Sequence, residues 1–253
     1  MLKFMPADAR AQLDAVANAL TGVLGDRLEG LYLHGSAAMG CFGPLSDIDL
    51  VGVSRGGMDE AAQRALADAL LGLQCAPREL EISVLNCERI RPWVHPASYE
   101  FHFSGAHVAR FKAMLASERF DAGGAGDPDL AAHISVCRAR GIALIGPDAR
   151  DMFEPVPRAD YLDSVLGDFD WLRNEEVPAV YAALNACRTL RLMREEGVYS
   201  KLECGLWALA QPELPGKGYV ARALKAYGMG DELARDAGLD ALIGYVAREL
   251  GRA

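Results

Sequence analysis

The sequence predicts an α+β fold, in which a small sheet with helices is followed by an all-helical bundle. Short apolar runs of strand length, separated by a helical pattern, fill the first 90 residues, and another precedes Gly146. After Pro157 the apolar spacing is helical almost to the end, in at least four segments. With 253 residues, 51% of them hydrophobic, the chain can form two modest cores. We therefore expect two domains, residues 1–156 and 157–253.

The elements of the first domain follow from local apolar spacing. From Asp8 to about Leu24 apolar residues recur at helical intervals, which predicts a first helix. The next elements are strands over 28–35 (LEGLYLHG), 47–54 (DIDLVGVS) and 79–85 (ELEISVL), a helix over roughly 58–73, a helix in 129–140 closed by Gly141, and a last strand in 142–146. Two segments, 120–133 and 148–161, are Gly-, Asp- or Pro-rich, and either is a candidate linker.

Composition limits the classes of partner. The net charge of −9 provides no broad basic face to neutralise a phosphate backbone, so we expect no nucleic acid partner. An acidic surface favours cationic ligands instead. The six cysteines show no CxxC or zinc-site spacing, and the sequence shows neither a signal peptide nor a membrane span. We expect a cytoplasmic monomer that binds no membrane.

Two aspartates in the second predicted strand suggest a metal site. Side chains alternate along a strand, so Asp47 and Asp49 share one face while Ile48 and Leu50 share the other. Two carboxylates this close repel each other unless a cation lies between them, and Mg²⁺ prefers a few carboxylates together with substrate phosphates. Alternatively, both are surface acids of a solvent-facing strand. The Gly35-Ser36 pair that ends the preceding strand, where exposed N–H groups can approach phosphates, favours a nucleoside triphosphate site.

The third predicted strand carries further acids. Glu79, Glu81 and Ser83 share one face of ELEISVL. If this strand lies beside the Asp47–Asp49 strand, it brings Glu81 or Glu79 to the metal. Glu81 is then either a general base or a third metal ligand, and the spacing leaves both roles open.

Gly35-Ser36 is followed after ten residues by Asp47-Ile48-Asp49, and Glu81 comes later. This pattern resembles that of the nucleotidyltransferase superfamily of DNA polymerase beta type. More narrowly, the chain resembles the aminoglycoside (3'')/(9) adenylyltransferases, which modify streptomycin and spectinomycin. This likeness runs almost end to end, through LHGSAAMG, PLSDIDL, LEIS, YEFHFS, DPDLAAH, ALIGP, LNACR, YSKLE and LKAYG. The resemblance implies a polymerase-beta-like domain with a small mixed sheet, a C-terminal helical bundle, and a site between them.

The resemblance also implies roles for these residues. Asp47 and Asp49 would bind Mg²⁺, Gly35 and Ser36 would hold the β and γ phosphates of ATP, and Glu81 would accept the proton of the attacking hydroxyl. The implied reaction transfers AMP from ATP to a hydroxyl of a small, cationic acceptor and releases pyrophosphate. Alignment and charge neutralisation are the main requirements of such a transfer.

Four residues of the second domain are candidate nucleotide contacts. Ser200 and Glu203 form an S-x-x-E capping box, a purely structural pattern, although Ser200 is also a candidate ATP contact. Lys201 lies in the first helical turn, where the macrodipole disfavours a cation unless an anion docks nearby. The resemblance implies that Lys201 contacts the triphosphate and that Tyr227 lies near the nucleotide. Arg188 is either a nucleotide contact or a salt-bridged helix residue.

The acceptor site is less defined. The acidic, aromatic stretch with Trp171, Glu175 and Glu176 suits a polycationic sugar, or is a solvated loop before a helix near Pro178. Streptomycin enzymes of the family have an antibiotic-contacting tryptophan where this chain reads Gly105-Ala106-His107. The sequence therefore leaves the acceptor open.

His102 and His133 have no partner at metal-ligand spacing, so we interpret them as structural.

Two alternative functions are also compatible with the sequence. An enzyme that transfers a nucleotidyl group to another metabolite or to a protein would use the same chemistry. A non-catalytic nucleotide-binding or toxin–antitoxin protein would be expected to lack one of Asp47, Asp49 and Glu81, and all three are present.

Overall fold

The computed structural model describes residues 5–252, and it confirms the predicted α+β class. The first part of this range contains both helices and strands, and the last part is helical. The elements are α1 (Ala7–Leu24), β1 (Leu28–Leu33), α2 (Gly35–Ala38), β2 (Ile48–Ser54), α3 (Glu60–Leu73), β3 (Leu80–Asn86), β4 (Ala97–Tyr99), β5 (Phe101–Phe103), α4 (Val108–Leu115), β6 (Gly124–Asp127), α5 (Leu130–Arg140), β7 (Ile142–Ile145), α6 (Ala149–Met152), α7 (Arg158–Asn174), α8 (Ala179–Arg194), α9 (Lys201–Ala210), α10 (Lys217–Met229) and α11 (Ala237–Glu249).

The described chain divides into two compact units. The first runs to Phe42 and continues over Ser46–Tyr161, and the second combines Gly43–Leu45 with the chain from Leu162 onward. Each unit has a hydrophobic core of its own. The predicted boundary between residues 156 and 157 stays a prediction.

The first unit is built on a five-stranded sheet with the strand order β5-β3-β2-β1-β7. The central strands β2 and β3 are parallel, joined by a crossover that contains α3, and the other neighbours are antiparallel. Because β1 runs against β2 and β3, its last residues lie at the edge where β2 and β3 begin. Residues just after β1 and at the starts of β2 and β3 therefore share one edge.

Both faces of the sheet are covered. Ile48, Leu50 and Ile82 are at most 1% exposed and lie in one core with residues of α1 and α3. Tyr32 and Val51 face the opposite side and pack with residues of α5. The predicted alternation is confirmed, so Asp49 and Glu81 project to the α5 side.

The prediction of a linker over 120–133 is wrong. This segment contains β6, which pairs with β4 in a second, two-stranded sheet, and the start of α5. Strands β4 and β5 are also absent from the sequence prediction. Three-residue strands are too short to show an alternation, and the Gly-rich β6 offers few side chains to carry one.

The second unit consists of helices, and its core includes Phe169, Leu184, Val220 and Leu242. Among the residues that the structure describes, every helix is too short or too polar to span a lipid bilayer.

Candidate functional site

Asp49 and Glu81 are partner residues in the parallel ladder of β2 and β3. Strands paired in this way lie about 4.8 Å apart, and partner side chains project from the same face. The backbone N–H of Ile48 donates to the carbonyl of Glu79 at 2.9 Å, which extends the pairing toward the exposed Asp47. The acids of both strands are therefore neighbours at one sheet edge, and Glu81 is half-buried rather than turned into the core.

The Gly35-Ser36 corner adjoins this edge. Gly35 follows β1 with φ +60°, and a Cβ added there would overlap Oδ2 of Asp49. The N–H of His34 donates to the carbonyl of Asp49 at 3.0 Å, which fixes the end of β1 against β2. The carboxylate of Asp49 thus lies directly against the backbone of the glycine that precedes Ser36.

The acids at this edge fit an ion that takes few protein ligands. Within residues 5–252, no group of three or more His, Cys, Asp or Glu side chains is placed to hold a metal. Oε2 of Glu79 lies against Gly105, where an added Cβ would be 2.6 Å away. Asp47 and Asp49 lie at the same edge, and Mg²⁺ is commonly held by one or two carboxylates with substrate phosphates. Their metal-binding role stays a prediction.

His133, which the sequence predicts to be structural, lies next to Glu81. Nε2 of His133, on α5, is 3.8 Å from Oε1 of Glu81. The ring of His34 is 4.9 Å from that of His133, centroid to centroid. Spacing along the chain gives no signal for this contact, because His133 follows Glu81 by about fifty residues and reaches it only through the packing of α5 on the sheet.

Two further histidines lie on the same face. Nδ1 of His102 is 2.8 Å from Oγ of Ser83, and the rings of His102 and His107 are 5.0 Å apart. Burial lowers the pKa of His102, and the carboxylate of Glu81 opposes that effect. The pKa of His107 is also lowered, mainly by burial and then by Arg110. Four of the five histidines of the chain thus surround the start of β3.

Burial has its strongest effect on His34. The side chain is 4% exposed, and burial, followed by His133, holds its pKa well below the ordinary value. Burial therefore favours the neutral form of the His34 imidazole in the folded protein.

In the second unit, Lys201 is the first residue of α9. The predicted capping box is confirmed: the N–H of Glu203 donates to Oγ of Ser200 at 3.1 Å, and the N–H of Ser200 donates to Oε2 of Glu203 at 2.7 Å. Nζ of Lys201 lies 4.3 Å from the centre of the Tyr181 ring, a cation–π contact.

Tyr181 connects Lys201 with Arg188. The hydroxyl of Tyr181 donates to one oxygen of Asp168 at 2.7 Å, and Arg188 donates to the other at 2.9 Å. Arg188 therefore has the salt bridge that the sequence left as an alternative. Tyr227 is half-buried on α10 and packs against the helical core.

The candidate acceptor residues lie on and after α7. Trp171 is in the helix, so the alternative of a solvated loop is wrong for this residue; its ring is 49% exposed and meets the ring of Tyr181 edge-on at 5.9 Å. Glu175 and Glu176 follow the helix and are exposed. Ala106 is exposed in a single 3₁₀ turn, Gly105–His107.

Comparison with known proteins relates these features to one group of enzymes. Residues 151–249 match the family "Aminoglycoside adenylyltransferase, C-terminal domain". An aminoglycoside (3'') (9) adenylyltransferase of Shigella flexneri is 28% identical over 263 aligned positions, which cover 96% of this chain and 95% of that protein. A spectinomycin 9-adenylyltransferase of Staphylococcus aureus is 28% identical over 54% of each chain.

A solved structure shares the fold. It is the spectinomycin adenyltransferase AAD(9) from Enterococcus faecialis with ATP and spectinomycin, and it matches with a TM-score of 0.82. The match covers 96% of this chain and 99% of the other at 18% sequence identity.

Proposed function

Because this chain belongs to the aminoglycoside (3'')/(9) adenylyltransferase-like family and is a nucleotidyltransferase, we propose that it transfers AMP from ATP to a hydroxyl of a spectinomycin- or streptomycin-type antibiotic. The pairing of Asp49 with Glu81 beside Gly35 carries the proposal. Together with Asp47, these acids would supply two carboxylates for a metal-bound triphosphate and Glu81 for a proton. The relatives named above act on such antibiotics, and the solved structure with this fold holds ATP and spectinomycin.

Asp47 and Asp49 would hold Mg²⁺ together with phosphate oxygens of ATP. When bound, the ion would neutralise charge on the triphosphate and on the leaving pyrophosphate. Gly35 turns the backbone at this corner with a positive φ, and Ser36 adds a further N–H and a hydroxyl. In this proposal the corner binds the β and γ phosphates.

Glu81 would act as the general base. The acceptor oxygen attacks the α-phosphorus, the bond from that phosphorus to the bridging oxygen of pyrophosphate breaks, and Glu81 takes the hydroxyl proton. The Glu81 side chain is 34% exposed, which leaves its carboxylate accessible to an acceptor. Its place next to Asp49 would align the proton acceptor with the proposed phosphate site.

The second unit would contribute cations to nucleotide binding and acids to acceptor binding. In this proposal Lys201, Arg188 and Tyr227 contact the nucleotide, with the Ser200 hydroxyl engaged in its helix cap. Trp171, Glu175 and Glu176 are exposed, as contacts for a cationic sugar must be.

The test is pyrophosphate release from ATP and Mg²⁺ with spectinomycin, streptomycin or neither. We expect release that depends on an antibiotic, and a loss of about 100-fold in turnover for Glu81→Gln with ATP binding retained. Asp47→Asn should weaken ATP binding in calorimetry with Mg²⁺ but not without it. Asp14→Asn, a change of an exposed acid on α1, is the matched control and should alter neither.

Each contrary outcome has a distinct meaning. Pyrophosphate release with a different metabolite or a protein, but with no antibiotic, would overturn the proposed acceptor and leave the proposed nucleotidyl transfer intact. ATP binding without any turnover would point to a non-catalytic nucleotide-binding protein.

A further inference from the structure

We propose that His133 is a positioning residue that holds the carboxylate of Glu81 at the sheet edge for proton transfer. The inference rests on the proposed function, since it assigns His133 to the reaction through Glu81. The resemblance implies no role for His133.

The contact is close and partly shielded from solvent. Nε2 of His133 is 3.8 Å from Oε1 of Glu81, which is within ion-pair range and longer than a direct hydrogen bond. The two side chains are 21% and 34% exposed. A polar contact at this depth is screened less than it is on an open surface.

The position of His133 is itself well fixed. Its neighbours on α5, Leu130, Ile134 and Cys137, are at most 1% exposed and belong to the core on this side of the sheet. The buried ring of His34 also contacts the His133 ring, 4.9 Å away between centroids. The His133 imidazole therefore has the buried His34 ring and the Glu81 carboxylate as neighbours.

The other histidines of this face are engaged differently. Nδ1 of His102 pairs with Oγ of Ser83, and Nδ1 of His107 lies 3.0 Å from Oγ of Ser104. His133 instead directs Nε2 toward Glu81. His133 thus has a ring nitrogen 3.8 Å from the proposed base, whereas the contacts described for His102 and His107 are with serine hydroxyls.

A glutamate has three rotatable side-chain bonds, so a half-buried carboxylate can adopt several rotamers. A fixed partner restricts these rotamers and favours the one that faces the site. Misplacement of a catalytic group by about 1 Å can cost up to about 100-fold in rate. Loss of His133 should therefore lower kcat and leave the KM for ATP unchanged.

Three substitutions of His133 separate positioning from simple packing. His133→Leu removes both ring nitrogens and should lower kcat by about 10-fold. The amide nitrogen of glutamine reaches about as far as Nε2 of histidine, so His133→Gln should restore kcat to within about 3-fold of wild type. The amide nitrogen of asparagine reaches only about as far as Nδ1 of histidine, so His133→Asn should behave like His133→Leu. Equal kcat for all three variants, or a loss seen only as lower thermal stability, would overturn the proposal.

The Glu81→Gln background tests whether His133 acts through the base. In that background His133→Leu should cause no further loss of turnover, because the carboxylate is already absent. A further loss of the same size as in wild type would assign His133 an independent role and overturn positioning.

An NMR experiment that does not depend on turnover tests the contact itself. The ring ¹⁵N chemical shifts of His133, in NMR spectra of the full chain, should change in Glu81→Gln. They should stay the same in Glu79→Gln, whose carboxylate lies against Gly105. Unchanged shifts in Glu81→Gln would overturn the inference. If wild type releases no pyrophosphate with any acceptor, the proposed function fails, and this experiment still decides whether the contact exists.

Discussion

The carboxylate of Asp49 lies against the α-carbon of Gly35, so this corner has no room for a side chain at residue 35. Gly35 also has a φ of +60°, which L-residues other than glycine adopt at a cost of about 1 kcal/mol or more. Close contact and backbone conformation therefore both require glycine here.

We predict that Gly35→Ala reduces turnover by at least about 10-fold, because the new methyl group displaces the Asp49 carboxylate from the proposed metal site. Gly40→Ala is the matched control. Gly40 has a φ of +73° and open space around an added Cβ, so it tests backbone strain alone.

The measurement is pyrophosphate release together with thermal unfolding of both variants. Gly40→Ala should lose about 1 kcal/mol of stability and little activity. Equal activity of Gly35→Ala and Gly40→Ala would show that the Gly35–Asp49 contact does not matter for the reaction.

Lys201 is the subject of a second prediction. Lys201→Met should raise the KM for ATP by about 10-fold, since a charge-assisted contact with a phosphate contributes about 1.5–3 kcal/mol. Stability should change little, because the methionine can still pack on the Tyr181 ring. Lys225→Met, a change of an exposed lysine on α10, is the control. An unchanged KM for ATP in Lys201→Met would remove Lys201 from the nucleotide site.

The capping box of α9 gives a third prediction. Ser200→Ala and Glu203→Ala should each cost about 1 kcal/mol of stability, because each leaves an N–H of the first turn without its side-chain partner. Glu203→Gln keeps the reciprocal bond and should cost less. Unfolding in urea measures these differences. A large rise in the KM for ATP in Ser200→Ala, without loss of stability, would instead support the ligand role of Ser200.

Three histidines with lowered pKa values, one buried and two partly buried, give a fourth prediction, on pH and stability. Burial lowers the pKa of His34, His102 and His107, whereas an unfolded histidine has a pKa of about 6.5. Below that pH the unfolded chain binds protons that the folded protein does not, so protonation favours unfolding. The free energy of unfolding should therefore fall as the pH is lowered from about 7.5 to about 5.5, above the range in which ordinary carboxylates titrate.

Urea unfolding across this interval measures the effect. His34→Gln, which removes the most strongly shifted group, should reduce the slope of stability against pH. A wild-type free energy of unfolding that is constant between these two pH values would contradict the prediction.

Local patterns determined much of the first unit. The alternation in DIDL and LEIS places Ile48, Leu50 and Ile82 in the core and the acids on the other face, because the two-residue period of a strand is a property of the strand alone. The capping box of α9, in the second unit, is also a local pattern, because its two residues are three positions apart. The strand candidates, most of the helices and the Gly-Ser and Asp-x-Asp motifs were all visible in the sequence.

Contacts between distant segments were decided only by the tertiary structure. The parallel register sets Asp49 opposite Glu81, the packing of α5 brings His133 to Glu81, and the helical core brings Tyr181 under Lys201. Local spacing carries no record of such pairs, because they depend on how whole elements pack. The sequence thus predicted which residues would carry the chemistry and determined which face of a strand each occupies, and the tertiary structure decided which of them are neighbours.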